Sequence, residues 1–208
     1  QFPPENIQPT AFYLHENGEL SADMPQNEAP DNYVYHPENP TPYIGGTQFN
    51  LWNAGKRDNR QIEKRDDVLI YTTAPLSTPM EIIGYVRLQV YVYTDVACAD
   101  FYGRLCDVHP DGRSYNICDG LMRLSKKATT PLPDGTYCIE VDMWATAHHF
   151  KAGHRLRLQI ASAAHPRWAR NLCVDEPFLT CTDYQVAHQQ VFHDADHPSA
   201  LLLPMVGM

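Results

Sequence analysis

The sequence predicts an all-β protein, an antiparallel sandwich, on three observations. From Val68 onward apolar residues recur with a period of two, the spacing that puts them on one face of a strand. The runs so marked are separated by Asp-Gly, Pro-Asp-Gly and Lys-Ala-Gly turns. Seventeen prolines spread through 208 residues disfavour long helices. A chain of this length can bury a sizeable core in one large β domain or two small ones.

Taken in order, residues 1–48 are rich in Pro, Asn, Glu and Gly. Within them "TAFYLHENGELSA" predicts strands over 12–14 and 19–21 joined at Asn17-Gly18, a strong hairpin signal. The remainder, including "NEAPDNYVYHPENPTPYIGG", reads as an extended arm lying on another surface. "YVRLQVYVY" then alternates, with Val86, Leu88, Val90 and Val92 facing inward and Arg87, Gln89 and the tyrosines outward. "DFYGRLCDV" is a further strand. "YCIEVDMW" turns Ile139, Val141 and Met143 inward, which leaves Trp144 in the opposite phase, facing away from the main core. "HRLRLQIAS" buries Leu156, Leu158 and Ile160, and "HQQVFHD" is a weaker strand. Helical turns are expected only in "EKRDD" and "HPRWARN".

The stretch "DVHPDGRSYNICDGLMR" crowds acids, arginines and a histidine as a reaction centre would, yet both of its Asp-Gly pairs satisfy the positive-φ demand of tight turns. The expectation is two turns, with His109 in the first. Asp100 and Arg104, four apart on one strand face, are expected to form a surface ion pair.

Composition narrows the function. A net charge of −9 argues against nucleic acid, which needs clustered Lys and Arg. No apolar run reaches the roughly 20 residues that span a bilayer, so no membrane partner is expected. The start, "QFPPENIQPT", has no signal-peptide pattern and no initiator methionine, as expected of a processed product or an excised piece. Six cysteines without a C-x-x-C pair read as buried free thiols of the core, and the expected compartment is cytoplasmic.

No serine lies in G-x-S-x-G, and there is no G-x-G-x-x-G, Walker loop or H-E-x-x-H, so neither a catalytic residue nor a cofactor or metal is expected. The metal-like cluster of His188, His193, Asp194, Asp196 and His197 is disfavoured, because residues five apart on a strand point to opposite faces. The adjacent pair His148 and His149 reads as a loop. Arg167, Trp168 and Asn171, with Arg170, form a polar and aromatic group suited to an interface or a sugar platform.

The ordered succession "RDDVLIYTTAPLSTPMEIIGYVRLQVYV", "DFYGRLCDVHPDGRSYNICDGLMR", "YCIEVDMWATAHHFKAGHRLRLQIASAAHPRWARN" and "HPSALLLPMV" resembles the C-terminal domain of X-Pro dipeptidyl-peptidases and cocaine-esterase-type serine hydrolases. "FYLHENGELSADMP" and "YHPENPTPYIGG" resemble the segment joining that domain to the catalytic one. The chain departs from the family in having "SAAHP" where Ser-Ser-Asn-Phe-Pro is common, and Ala169 where an acid is common.

The resemblance implies a jelly-roll β-sandwich of the galactose-binding-like type over residues 49–208, preceded by a linker arm over 1–48. It further implies a noncatalytic domain, whose partner is an α/β-hydrolase domain of the same polypeptide that carries the Ser-Asp-His triad; a homo-oligomer is also expected. Facing the substrate cleft or the domain interface, the expected residues are Phe49 and Trp52, after the closely approaching Gly45-Gly46, together with Arg167, Trp168 and Asn171. The competing expectation is a jelly-roll carbohydrate-binding module. A third is a metalloenzyme built on the 188–197 histidines.

Overall fold

The computed structural model describes residues 2–49, 52–176 and 180–207. Eleven strands account for its regular structure: β1 (Ile7–His15), β2 (Glu19–Ser21), β3 (Asp31–Tyr35), β4 (Val68–Thr72), β5 (Met80–Thr94), β6 (Cys98–Val108), β7 (Ser114–Ser125), β8 (Tyr137–Phe150), β9 (Arg155–Ala161), β10 (Ala187–Phe192) and β11 (Ala200–Val206). Among the described residues only two short 3-10 turns, at Glu16–Gly18 and Ile62–Lys64, interrupt them. The fold is all-β, as the period-two pattern predicts.

Backbone hydrogen bonds join the strands in one continuous path, β3-β10-β5-β11-β1-β2-β4-β9-β6-β7, with β8 on the other side of β5. Every pairing is antiparallel except β2 with β4, which meet in parallel at Glu19 and Thr72. The path doubles back so that β5 and β8 face β6 and β9. Val86, Leu88, Val90, Val92, Ile139, Val141, Met143, Leu156, Leu158 and Ile160 all lie in the same buried cluster. A methyl group on Gly103 of β6 would lie 2.9 Å from Leu88 and 3.4 Å from Met143, so the two layers touch there.

Residues 1–48 contribute strands to this sheet. β1 lies between β11 and β2, and β3 pairs with β10 at one end of the path. The hairpin at Asn17-Gly18 forms, with both residues at positive φ.

β6 is buried on both faces because a second layer covers its back. Tyr43 and Ile62 from the chain before β4, and Ala164 from the loop after β9, pack with Tyr102, Val68 and Ala161 in a smaller apolar cluster. Trp168 lies against it.

Of the two Asp-Gly turns expected in 107–123, the first forms: the Gly112 N–H donates to the His109 carbonyl at 2.8 Å, and Gly112 has φ +83°. The second does not. Asp119 and Gly120 lie inside β7, opposite Arg104 and Gly103. The glycine serves space rather than a turn, since a Cβ there would fall 1.9 Å from the Asp142 carbonyl of β8.

Candidate functional site: a cleft beside Trp144

The site rests on a buried arginine. Arg104, 1% exposed, donates to the Asp119 carboxylate at 2.8 Å, and its Nη1 donates to the Ile44 carbonyl and Asn59 Oδ1, each at 2.6 Å. The Tyr43 ring lies 4.6 Å from the guanidinium carbon, and the Tyr43 hydroxyl donates to Asp119 Oδ2 at 3.1 Å. The same hydroxyl accepts the Thr47 N–H at 3.1 Å, which ties the loop after Tyr43 down onto β6 and β7. Gly45 and Gly46 are needed here: both have positive φ, and a Cβ on Gly46 would fall 2.0 Å from the Tyr43 hydroxyl. Burial, then the neighbouring Asp119 charge, pushes the Tyr43 phenol above its ordinary range, so it remains a hydrogen-bond donor.

Above this floor opens a cleft of about 390 Å³ between Gly46-Thr47, Cys118-Asp119 of β7, the 143–145 stretch of β8, and Arg167. It lies where β7 and β8 run side by side without pairing. β8 is irregular at this point, its pairing with β5 shifting between Tyr85 and Arg87. Trp144 takes φ +68°, rare for a bulky residue, and its N–H donates to Asp142 Oδ1 at 2.8 Å. The indole is thrown out of the sheet and is 65% exposed. An exposed indole, a guanidinium and a carboxylate already neutralised by Arg104 make a surface for recognition rather than for proton transfer.

The residues singled out from sequence are distributed unevenly around this cleft. Phe49 and Trp52 follow Gly46-Thr47 in sequence but do not line the cleft, and both side chains are largely exposed. Arg167 lines the cleft and stacks over Trp168 at 5.1 Å. Trp168 is partly buried, edge-on to Tyr43 and Tyr102 at 6.0 and 5.8 Å. Asn171 is buried behind the surface, donating to Asp100 Oδ1 at 2.8 Å and accepting the Cys173 N–H.

Other expectations need correction. Asp100 and Arg104 do not pair at the surface; both are 1% exposed, and each takes a partner on β7, Arg123 and Asp119 respectively. The ladder register, invisible in an i,i+4 count, decides the partners. His148 and His149 lie in β8, not in a loop. The cysteines are not uniformly core, for Cys106 and Cys173 are buried but Cys138 is exposed. Along 188–197 each imidazole has separate carboxylates: His188 with Asp95, His193 with Glu28 and Asp31, His197 with Asp194 and Asp134. Asp119, Tyr43 and Asn59 were missed, because Asp119 precedes a glycine that mimics a turn and the other two lie far from Arg104 in sequence.

A family model described as the X-Pro dipeptidyl-peptidase C-terminal non-catalytic domain matches residues 1–202. The cocaine esterase of Rhodococcus sp. (strain MB1 Bresler) is 34% identical over 201 residues, covering 91% of this chain and 34% of its own. Among solved structures, an aminopeptidase from a marine sediment Thaumarchaeota archaeon superposes with a TM-score of 0.87 at 25% identity, over 100% of this chain and 38% of its own. An α-amino acid ester hydrolase gives 0.80 at 26% identity, over 94% and 36%. The chain thus spans about a third of the length of each of these relatives.

Proposed function

This chain belongs to the X-Pro dipeptidyl-peptidase C-terminal non-catalytic domain family, and from that premise we propose that it is the β domain of a serine hydrolase, seated on an α/β catalytic domain whose substrate cleft it helps to wall. The hydrolase cleaves an ester or amide, with the acyl-transfer residues on the partner domain. The contribution of this chain is shape and exclusion of water, which strengthens the dipoles that stabilise charge in a neighbouring site.

The observation that carries this reading is Trp144. A bulky residue in the left-handed region costs about 1–2 kcal/mol, and strain of this kind is retained where function uses it. Here it presents a large apolar ring to the outside, in the same cleft as Arg167 and across from Gly46 and Thr47. Trp and Arg are the residue types that dominate binding energy at interfaces.

Hydroxyl-radical footprinting tests the seating. In the complete hydrolase Trp144 is protected from oxidation relative to this chain alone. Equal oxidation of Trp144 in both would overturn the reading.

A further inference from the structure

At the β6–β7 turn, three imidazoles converge on one buried carboxylate. Asp107, near the end of β6, is 3% exposed. Its Oδ1 lies 2.7 Å from His154 Nδ1, its Oδ2 lies 3.1 Å from His148 Nε2, and His109 Nε2 stands 3.8 Å from the same Oδ2. Asp100, the other buried aspartate, has the guanidinium of Arg123 against it; Asp107 has imidazoles in that place.

Three separate segments supply these rings: the turn after β6, the last part of β8, and the turn before β9. The two turns approach each other, with a Cβ on Gly153 falling 3.8 Å from the Pro110 ring.

We propose that Asp107, His109 and His154 bind one divalent ion of the zinc class, with His148 holding the second carboxylate oxygen. One donor atom from each of the three lies within 4.8 Å of the others, the only such grouping of metal-type side chains among the described residues. Tetrahedral donors about 2.0–2.2 Å from an ion stand about 3.3–3.6 Å from one another, so binding draws the widest pair in by up to roughly 1.2–1.5 Å, a movement the two turns must supply.

Hydrogen bonding alone does not account for His109. Its ring nitrogen is beyond hydrogen-bond reach of Asp107, yet the ring is held 4.4 Å from that of His154. Two imidazoles and one carboxylate suit Zn(II), Cu(II) or Ni(II), whereas Mg(II) and Ca(II) prefer oxygen alone. His148 takes the position of the outer hydrogen-bonding partner that orients a ligating carboxylate. The side chains of His109 and His148, 26% and 22% exposed, leave a path from solvent. A bound ion would staple the β6–β7 turn to the β8–β9 turn. Nothing in this proposal depends on how the domain seats on a partner.

The test is calorimetric titration of the chelator-stripped protein with ZnCl2, alongside visible spectroscopy of the Co(II) form. The expected result is one equivalent bound at micromolar affinity or tighter, with Co(II) bands indicating nitrogen ligands. His109→Ala, a change in a turn, is expected to weaken binding at least about tenfold, while the remote His188→Ala leaves it unchanged. His154→Ala is read only if it folds by circular dichroism, and His109→Ala decides in either case. Absence of saturable one-equivalent binding, or equal affinity in His109→Ala and wild type, would overturn the proposal.

Discussion

Arg104 and Asp119 stand opposite one another across the β6–β7 ladder, and the guanidinium meets the carboxylate at 2.8 Å with 1% of the arginine exposed. The pair is the foundation of the cleft, because the same guanidinium holds the Ile44 carbonyl and Asn59. Replacing Arg104 by Met leaves Asp119, whose side chain is only 10% exposed, without its counter-charge. The expected cost is about 3–5 kcal/mol, the usual loss when one member of a buried pair is removed. Urea unfolding measures it, and a loss below about 1 kcal/mol would show that the pair is not the anchor described.

Gly120→Ala and Gly112→Ala separate two uses of glycine. At Gly120 the added methyl meets the Asp142 backbone, so the β7–β8 approach must open, at a cost of about 1–3 kcal/mol or more. At Gly112 the methyl finds open space and only the positive φ is charged against it, about 1–2 kcal/mol. In thermal unfolding Gly120→Ala is expected to be the more damaging, and the reverse order would contradict the packing.

Trp144→Gly is expected to act in opposite directions on the two states. Removing the strained side chain stabilises this chain alone by about 1 kcal/mol, while the complete hydrolase loses the anchoring ring and shows a raised KM or a detached domain. Phe49→Ala and Trp52→Ala are expected to raise KM in the complete hydrolase without lowering the melting temperature of this chain. Unchanged kinetics in all three variants would remove this wall from the substrate cleft.

His193, fully buried, lies between Glu28 at 3.2 Å and Asp31 at 3.1 Å. Burial alone would lower its pKa, but the hydrogen bond to Asp31 and the charges of Asp31 and Glu28 outweigh it, and the imidazole titrates above its ordinary 6.5. With the folded value above the unfolded one, its contribution is complete below about pH 6.5 and is lost as pH rises through the folded value. Burial would raise both carboxylates, but their bonds to imidazoles, and to the Tyr71 hydroxyl at Asp31, leave both lowered, so their contributions are present above about 4.5 and fade in acid. His193→Gln is expected to reduce the loss of stability between pH 6.5 and 8.5, measured by urea midpoints across that range.

Thiol labelling of the native protein should divide the cysteines. Burial pushes the Cys106 and Cys173 thiols up to about 12, so neither supplies thiolate near neutrality, while Cys138 is exposed. Iodoacetamide followed by mass spectrometry is expected to modify Cys138 first and to reach Cys106 and Cys173 only on unfolding. Early modification of Cys106 would contradict its place in β6.

Strands were legible in the sequence wherever one face meets the core and the other meets water. The alternations of β5, β8 and β9 place Val86 to Val92 in even steps, Ile139 to Met143 and Leu156 to Ile160 inward, and the structure buries them all. β6 obscured its partners, because both faces are covered and Asp100, Arg104 and Asp107 are as buried as Phe101. Which acid meets which base is set by ladder register and by loops from distant parts of the chain, neither of which has a local signature. The same limit hid His154 and His148, brought to Asp107 from 47 and 41 residues away.

β1 and β11 lie side by side and antiparallel, with Ile7 directly across from Val206. Tension applied between these two points would draw the strands apart like a zipper, loading one rung at a time instead of shearing seven pairs together. A tether leading away from either point would therefore peel the sheet open along its middle at low force, and in single-molecule pulling the β1–β11 seam should yield first.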